Sequence, residues 1–302
     1  MTPKAVSATS LDQLTDSART LLRGAVDIHV HAAPDPFTAR RTNSRELVRL
    51  SREAGMGGIV MKSHDYPTQP LAWALNEEFD GIDVYGSMAL DWGVGGLNPD
   101  AVQVSLNIGA RVVWMPTFDA ANSRGRSGHF FSKGPGINVL DDAGNLVPAC
   151  HDILDLLHAR DAVLASGHIA PDETLALLRE ARRRGVRSVI THASFGIPVE
   201  VQQELAGLGV FIEHCGLAAF RADDGESVRS IAEQIRAVGV EHAICSTDLG
   251  QAQNPDPPLG LGIWIDCLIE QGFTASEVRQ MVQENPRALI GGPPSLPPPG
   301  GH

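Results

Sequence analysis

The histidines His29 and His31 are separated by one residue in the segment AVDIHVHAAP, residues 25–34. Strict alternation of apolar and polar residues is typical of a β-strand, whose successive side chains point to opposite faces. It places three polar and three apolar side chains on separate faces: Asp27, His29 and His31, and Val26, Ile28 and Val30. Two imidazoles on one face could hold a divalent metal ion, or could be ordinary polar residues of a half-exposed strand.

Further polar residues stand where other short β-like segments end. These segments lie at 25–31, 57–64, 82–90, 111–117, 162–168, 188–194, 210–215 and 243–249. Their chemically capable residues, besides the two histidines, are Lys62, His64, His168, His192, Glu213, His214 and Asp248. Imidazole and carboxylate groups suit zinc and related ions, so their recurrence at one edge of a parallel sheet predicts a metal centre. Glu213 and His214 are adjacent and must face opposite ways, which leaves open the one that faces the site.

The elements that must position these residues alternate in type. Helical patterns at 44–55, 171–185, 198–209 and 226–239 separate the strands, and several end at glycine. Eight strands alternating with helices close a (β/α)8 barrel, which typically takes about 250 residues. An open doubly wound sheet is the alternative, but HAAPDP follows the first strand in place of a glycine-rich phosphate loop.

We therefore predict a single-domain TIM barrel at 25–290. A helical lead-in at 1–24 precedes it, and a Pro/Gly-rich, disordered tail at 291–302 follows it. After the fourth strand, an insertion at 118–150 is expected to form a small hairpin from INVL and NLVPAC.

Composition excludes several classes of function. The net charge of −12 argues against a nucleic-acid partner, which needs a basic surface. No apolar run reaches the ~18 residues of a membrane span, and the first residues lack the apolar core of a signal peptide. The four cysteines are scattered and are expected to be free thiols in a reducing compartment, which favours the cytoplasm. A small-molecule substrate remains as the partner, and a homo-oligomer stays open.

The pattern of HxH on the first strand, histidine on the fifth and sixth, and Asp248 in STDLG on the eighth resembles the amidohydrolase superfamily. The resemblance runs from 25 to 290 and includes the closing ENPRALIG. It implies one or two divalent ions, Zn²⁺ foremost, with Mn²⁺ or Fe²⁺ as alternatives. It also implies that His29, His31 and Asp248 bind the more buried ion. His168 would be a further ligand, and His192 a ligand of a second ion or a general acid/base.

Lys62 marks a departure from the pattern. Superfamily members with two metals often carry a carboxylated lysine or a glutamate on strand four, but RVVWMPT offers neither. On strand two, period-two spacing places Val60, Lys62 and His64 on one face. Lys62 could be carboxylated and bridge two metals, stay cationic and hold a substrate carboxylate, or be solvated. A free ammonium beside a dication is unfavourable.

The resemblance implies hydrolysis of a C–N bond in an amide or cyclic amide, or of an ester or lactone, by metal-activated water, with Asp248 as base and His192 assisting. Basic residues point to a small anionic substrate, bound by Lys62, Arg124, Arg126 and His129; the last three could equally belong to a solvated loop. Two alternatives stay open. One is metal-dependent decarboxylation of the aminocarboxymuconate-semialdehyde decarboxylase type, which has a basic residue on strand two. The other is a non-catalytic metal-binding barrel.

Overall fold

A computed structural model describes residues 8–124, 134–220 and 228–294. Its eight parallel strands neighbour one another in chain order: β1 Val26–Val30, β2 Gly58–Met61, β3 Asp83–Ala89, β4 Ala110–Trp114, β5 Val163–Ala165, β6 Arg187–Ile190, β7 Phe211–Cys215 and β8 Ala243–Ser246. The first and last strands meet just beyond β8, where Val30 and Leu249 form a parallel bridge and the His31 N–H donates to the Leu249 carbonyl over 2.8 Å. The predicted single-domain (β/α)8 barrel is confirmed.

Helices surround the strands: α1 Asp16–Leu22, α2 Ser44–Glu53, α3 Gln69–Glu78, α4 Pro99–Asn107, α5 Ala121–Arg124, α6 Pro148–Ala159, α7 Pro171–Arg183, α8 Val199–Gly207, α9 Val228–Val238, α10 Pro257–Glu270, α11 Ala275–Arg279 and α12 Asn285–Ile290. The sequence patterns found α2, α7, α8 and α9. They missed α10 because it is buried from Pro257 to Leu268 and shows no polar face to set a helical period. In the described parts of the chain, no helix has the length and apolarity needed to cross a membrane.

Apolar side chains fill the interior of the barrel at the end where the strands begin. Val60 and Val112 pack there against Leu289 and Ile290 of α12. The Arg111 guanidinium, near the start of β4, donates to the Ile290 carbonyl over 2.9 Å. Because this end of the barrel is packed with apolar side chains, the polar interior residues are left to the other end, where the strands finish.

The face assignment for β1 was wrong. Val26 and Ile28 pack inside the barrel, but Val30 packs in the layer between the barrel and the helices. The register of β1 against β2 shifts between Asp27 and Val30. An irregularity of this kind disrupts the alternation of side chains and re-aims those that follow.

Hydrogen bonds to Asp27 hold this irregular segment. Its buried carboxylate accepts the His29 N–H over 3.1 Å, the Thr247 N–H over 3.1 Å and the Thr247 hydroxyl over 2.6 Å. Asp27 thereby ties β1 to the end of β8. The contact lets His29 share the barrel interior with Val26 and Ile28.

Two further assignments concern β2 and the insertion. Val60 of β2 lies inside, and Lys62 and His64 line a cavity above it, as the period-two pattern predicted. The insertion forms a minimal hairpin with an antiparallel bridge between Leu140 and Leu146. Its second arm is shorter than predicted, because α6 begins at Pro148, a residue favoured in the first helical turn. All four cysteines are unpaired and buried.

Candidate metal centre and substrate cavity

Three side chains converge where the first and last strands end. The Nε2 atoms of His29 and His31 lie 3.1 and 3.2 Å from Oδ1 of Asp248. Both imidazoles are almost completely buried, whereas the Asp248 side chain keeps 15% of its surface exposed. Two imidazole nitrogens and one carboxylate oxygen form a donor set that fits a divalent ion of the zinc type.

His168 and His192 form a second convergent pair. Their Nε2 atoms lie 2.9 Å apart, and the His192 ring stacks on that of His29 with centroids 6.0 Å apart. Nδ1 of His168 lies 3.4 Å from the hydroxyl of Ser123. Two ring nitrogens aimed at one point beside the first cluster fit either a second ion or additional ligands of the first.

Asp248 and His192 hold uncommon backbone conformations, with φ of 55° and 29°. Positive φ is rare outside glycine, and such strain clusters at functional sites. The Asp248 N–H donates to the His29 carbonyl over 2.9 Å, and the His192 N–H donates to Oε2 of Glu213 over 2.8 Å. These backbone hydrogen bonds fix where the two side chains leave the chain.

Glu213 is the inward-facing member of the adjacent pair on β7. Its Oε1 lies 3.1 Å from Nδ1 of His29 and accepts the Ser246 hydroxyl over 2.7 Å. A carboxylate at Nδ1 makes that nitrogen a donor in the neutral and in the cationic ring, so Nε2 is the nitrogen of His29 that can lose its proton and bind a metal. The signal was present in the sequence: apolar Ile212 packs among the helices, which sends its neighbour Glu213 inward.

Charge sets the protonation of His29 and its two carboxylate neighbours. Burial and Lys62 lower the pKa of His29, but Asp248 and Glu213 outweigh them and raise it to about 9. Burial raises the pKa of Glu213, yet the charge of His29 and a hydrogen bond from it hold that pKa at about 2. The pKa of Asp248 is likewise well below its usual range, because His29 outweighs burial. Both carboxylates are therefore ionised at neutral pH.

The other histidines of the centre remain neutral. Burial and the nearby Arg40 charge lower the pKa of His31 to about 3. Burial is the main reason that the pKa of His192 falls to about 4 and that of His168 lies well below the usual value. Neutral imidazole is the form that binds a metal, so these three side chains are ready for coordination.

Lys62 reaches the same point from β2. Its Nζ lies 3.0 Å from Nε2 of His29 and 5.2 Å from the centre of the Trp114 ring. Only 3% of the residue is exposed, and burial lowers its pKa despite the pull of Asp248. Lys62 therefore lies buried beside the candidate metal ligands, and the solvated interpretation does not fit.

A cavity of about 710 Å³ opens above this cluster. A volume of several hundred cubic ångströms suits a small molecule. The ionisable residues on its wall are His31, Arg40, Lys62, His64, His168, His192 and Asp248.

Residues 24–213 match the model of a Family of unknown function (DUF6282). The chain belongs to this family. In this DUF6282 member the matched segment includes all the candidate site residues described above except Asp248 and Ser246. No curated protein matches it significantly.

Solved structures resemble this DUF6282 member in fold. An amidohydrolase from Pseudomonas aeruginosa is 12% identical with a TM-score of 0.64, covering 90% of this chain and 98% of its own. The lactonase Lmo2620 from Listeria monocytogenes is 13% identical with a TM-score of 0.59, and the match covers 89% of this chain and 96% of the lactonase. A 2,6-dihydroxybenzoate decarboxylase is 10% identical with a TM-score of 0.57, and the match covers 89% of this chain and 99% of the decarboxylase. The resemblance to the amidohydrolase superfamily is thus confirmed for the fold.

The basic residues expected to bind substrate are placed unevenly. Arg124 donates to Oδ1 of Asp119 over 2.6 Å and to the Gly134 carbonyl. Arg126 and His129 lie outside the described residues, so the role of this segment stays a prediction. Arg40 instead reaches the cavity wall: its Nη2 lies 2.6 Å from Oδ2 of Asp35 and 3.4 Å from Nδ1 of His31.

Glu213→Gln in the DUF6282 member is expected to weaken metal affinity about 10- to 100-fold. The amide has nearly the volume of the carboxylate, but one of its two ends donates, so it cannot serve every donor that Glu213 accepts. Competition with a fluorescent zinc chelator measures the affinity. Glu200→Gln, on an exposed position of α8, is the matched control. Unchanged affinity in Glu213→Gln would exclude Glu213 from orienting His29.

Proposed function

We propose that this protein is a metal-dependent hydrolase acting on a small anionic substrate. The observation that carries the proposal is the convergence of two buried imidazole nitrogens and an ionised carboxylate on the floor of a substrate-sized cavity. We propose that His29, His31 and Asp248 hold the first ion, with His168 and His192 as further ligands. Zinc is the metal that this nitrogen and oxygen set favours.

When bound, the ion would activate water and polarise the scissile carbonyl. The residues then have separable tasks. Asp248 is ionised and partly exposed, so it can take a proton from the attacking water and deliver it to the leaving group. His192 is neutral and lines the cavity, so with one ion bound it could exchange a proton with the substrate, whereas with two ions bound it would be a ligand instead.

The proposed substrate is anionic because Arg40 lies on the cavity wall and presents a planar guanidinium, which matches a carboxylate. A carboxylate held by Arg40 would position a C–N, ester or lactone carbonyl near Asp248. We place the reaction in the cytoplasm, since four unpaired, buried cysteines suit a reducing compartment.

A second candidate is decarboxylation on the same scaffold. Lys62, which directly follows β2, is the residue that favours it, because a cation close to a substrate carboxylate would bind the group to be lost. The fold of a 2,6-dihydroxybenzoate decarboxylase is compatible with this alternative. The two reactions differ in product: only decarboxylation releases carbon dioxide.

The test combines elemental analysis with a matched substrate panel. Carboxylate-bearing amides, cyclic amides, esters and lactones are incubated with protein as isolated, after chelation, and after restoring Zn²⁺, Mn²⁺ or Fe²⁺. We expect hydrolysis of one class, at least 10²-fold slower after chelation and restored by metal. Carbon dioxide release without hydrolysis would replace the proposal by decarboxylation. Protein that retains no metal at micromolar free zinc would contradict both.

A further inference from the structure

A chain of hydrogen bonds leads from the end of β3 to the cavity. Oδ1 of Asp91 accepts the Thr117 N–H over 2.8 Å and the Asp119 N–H over 2.9 Å, and Oδ2 accepts the Thr117 hydroxyl. The carboxylate is buried, and three donors fix its position. A hydroxyl has one proton to donate, and Thr117 donates it in the hydrogen bond to Asp91.

The next link determines the tautomer of His64. Its Nδ1 lies 2.7 Å from Oγ1 of Thr117. Because the proton of Thr117 is committed to Asp91, the hydroxyl oxygen must accept, and Nδ1 of His64 must donate. In a neutral imidazole the other nitrogen, Nε2, then carries a lone pair. In free histidine the proton is not fixed on one ring nitrogen. Here the hydrogen bond to Thr117 fixes it on Nδ1 of His64.

The surroundings hold the ring and leave Nε2 to the cavity. The His64 ring stacks on that of His31, with centroids 5.0 Å apart, and packs at a tilt against that of Phe118, with centroids 4.1 Å apart. His64 lines the cavity beside Lys62 and Arg40. Among the described residues, none forms a hydrogen bond with Nε2, and this atom is not among the buried polar atoms left without a partner.

We propose that Nε2 of His64 accepts a hydrogen bond from an N–H or O–H of the substrate, with Thr117 and Asp91 as positioning residues. The inference rests on the proposed function for the presence of a substrate, and it narrows the substrate class. The molecule would carry a carboxylate and, beside it, a neutral donor group. A substrate offering only acceptors at that point would face the lone pair of His64.

The tautomer can be measured without any activity. Nitrogen-15 NMR of zinc-loaded, full-length protein with labelled histidine distinguishes protonated Nδ1 from protonated Nε2, and His64→Phe assigns the signals. We expect Nδ1–H at pH 8 in the wild type and in Thr117→Ser. Thr117→Val, which keeps the shape but lacks the hydroxyl, is expected to switch His64 to Nε2–H. Protonated Nε2 in the wild type would overturn the proposal.

Two matched probes test the acceptor. Succinamate and levulinate carry the same charge and differ by an NH₂ in place of a CH₃, so only succinamate donates. We expect succinamate to bind the wild type about fivefold more tightly, as one neutral hydrogen bond would give. The preference should vanish in His64→Phe and in Thr117→Val but persist in Thr117→Ser.

A wild type that does not favour succinamate, whether it binds both probes or neither, would overturn the proposal. So would a preference unchanged in His64→Phe. Failure of the proposed function is read separately, from metal content and from the hydrolysis panel.

Discussion

Asp248→Asn is expected to slow hydrolysis about 10³-fold, within the range that loss of a positioned proton acceptor produces. The amide keeps the shape of the carboxylate but cannot take a proton from water, and it is a weaker metal ligand. The charge that holds two ligand imidazoles in place is lost as well, since Oδ1 faces both His29 and His31. The measurement is kcat on the responsive substrate, with metal content determined on the same sample.

Asp152→Asn provides the control for this prediction, because Asp152 lies exposed on α6. It should leave kcat and metal content unchanged. An Asp248→Asn variant that still binds metal but turns over slowly would show that Asp248 contributes mainly through proton transfer and less as a metal ligand. An Asp248→Asn variant as active as the wild type would contradict the proposed function.

Lys62→Ala is expected to lower the metal content from about two ions per chain to about one, in protein prepared with bicarbonate. The side chain lies where a cation would oppose the metal, and burial lowers its pKa, which raises the fraction of the amine that is neutral. A neutral amine adds carbon dioxide, releasing a proton and forming a carbamate, whose oxygens would serve as ligands of an ion held by His29 and of an ion held by His168 and His192. Elemental analysis with and without bicarbonate, alongside intact mass, measures this.

Lys62→Arg is the matched variant, since it keeps the charge but cannot form the carbamate. Metal loss in both variants would indicate a bridging ligand. One ion per chain in wild type and variants alike, with activity retained in Lys62→Arg, would make Lys62 a group that binds the substrate carboxylate. That result would favour the decarboxylation alternative.

Sequence patterns located the strand ends that carry chemistry because local alternation decides them. On β2 the alternation of Val60 and Lys62 held through the strand. On β1 the alternation failed at the register shift between Asp27 and Val30. This segment is held by Thr247, a residue distant in sequence, which donates hydrogen bonds to Asp27. No window around His29 contains that information.

The cationic residues show a similar limit. Arg40 and Arg124 look alike in the sequence, each following a strand that ends in the candidate site. Their partners decide the outcome: Asp35 holds Arg40 at the cavity wall, whereas Asp119 and Gly134 hold Arg124. Partners that meet only in the folded chain set the direction of long side chains, and charge counts alone cannot supply them.

The closure of the barrel between β1 and β8 has a consequence for biosynthesis. His31 and Asp248 are 217 positions apart, so the ribosome adds one proposed metal ligand long before the other. A growing chain that has not yet added β8 lacks the carboxylate and the contact with Asp27 that shapes the first strand. Tight metal binding must therefore wait until β8 has been synthesised. A protein that holds its metal tightly is one in which β1 and β8 are already in contact.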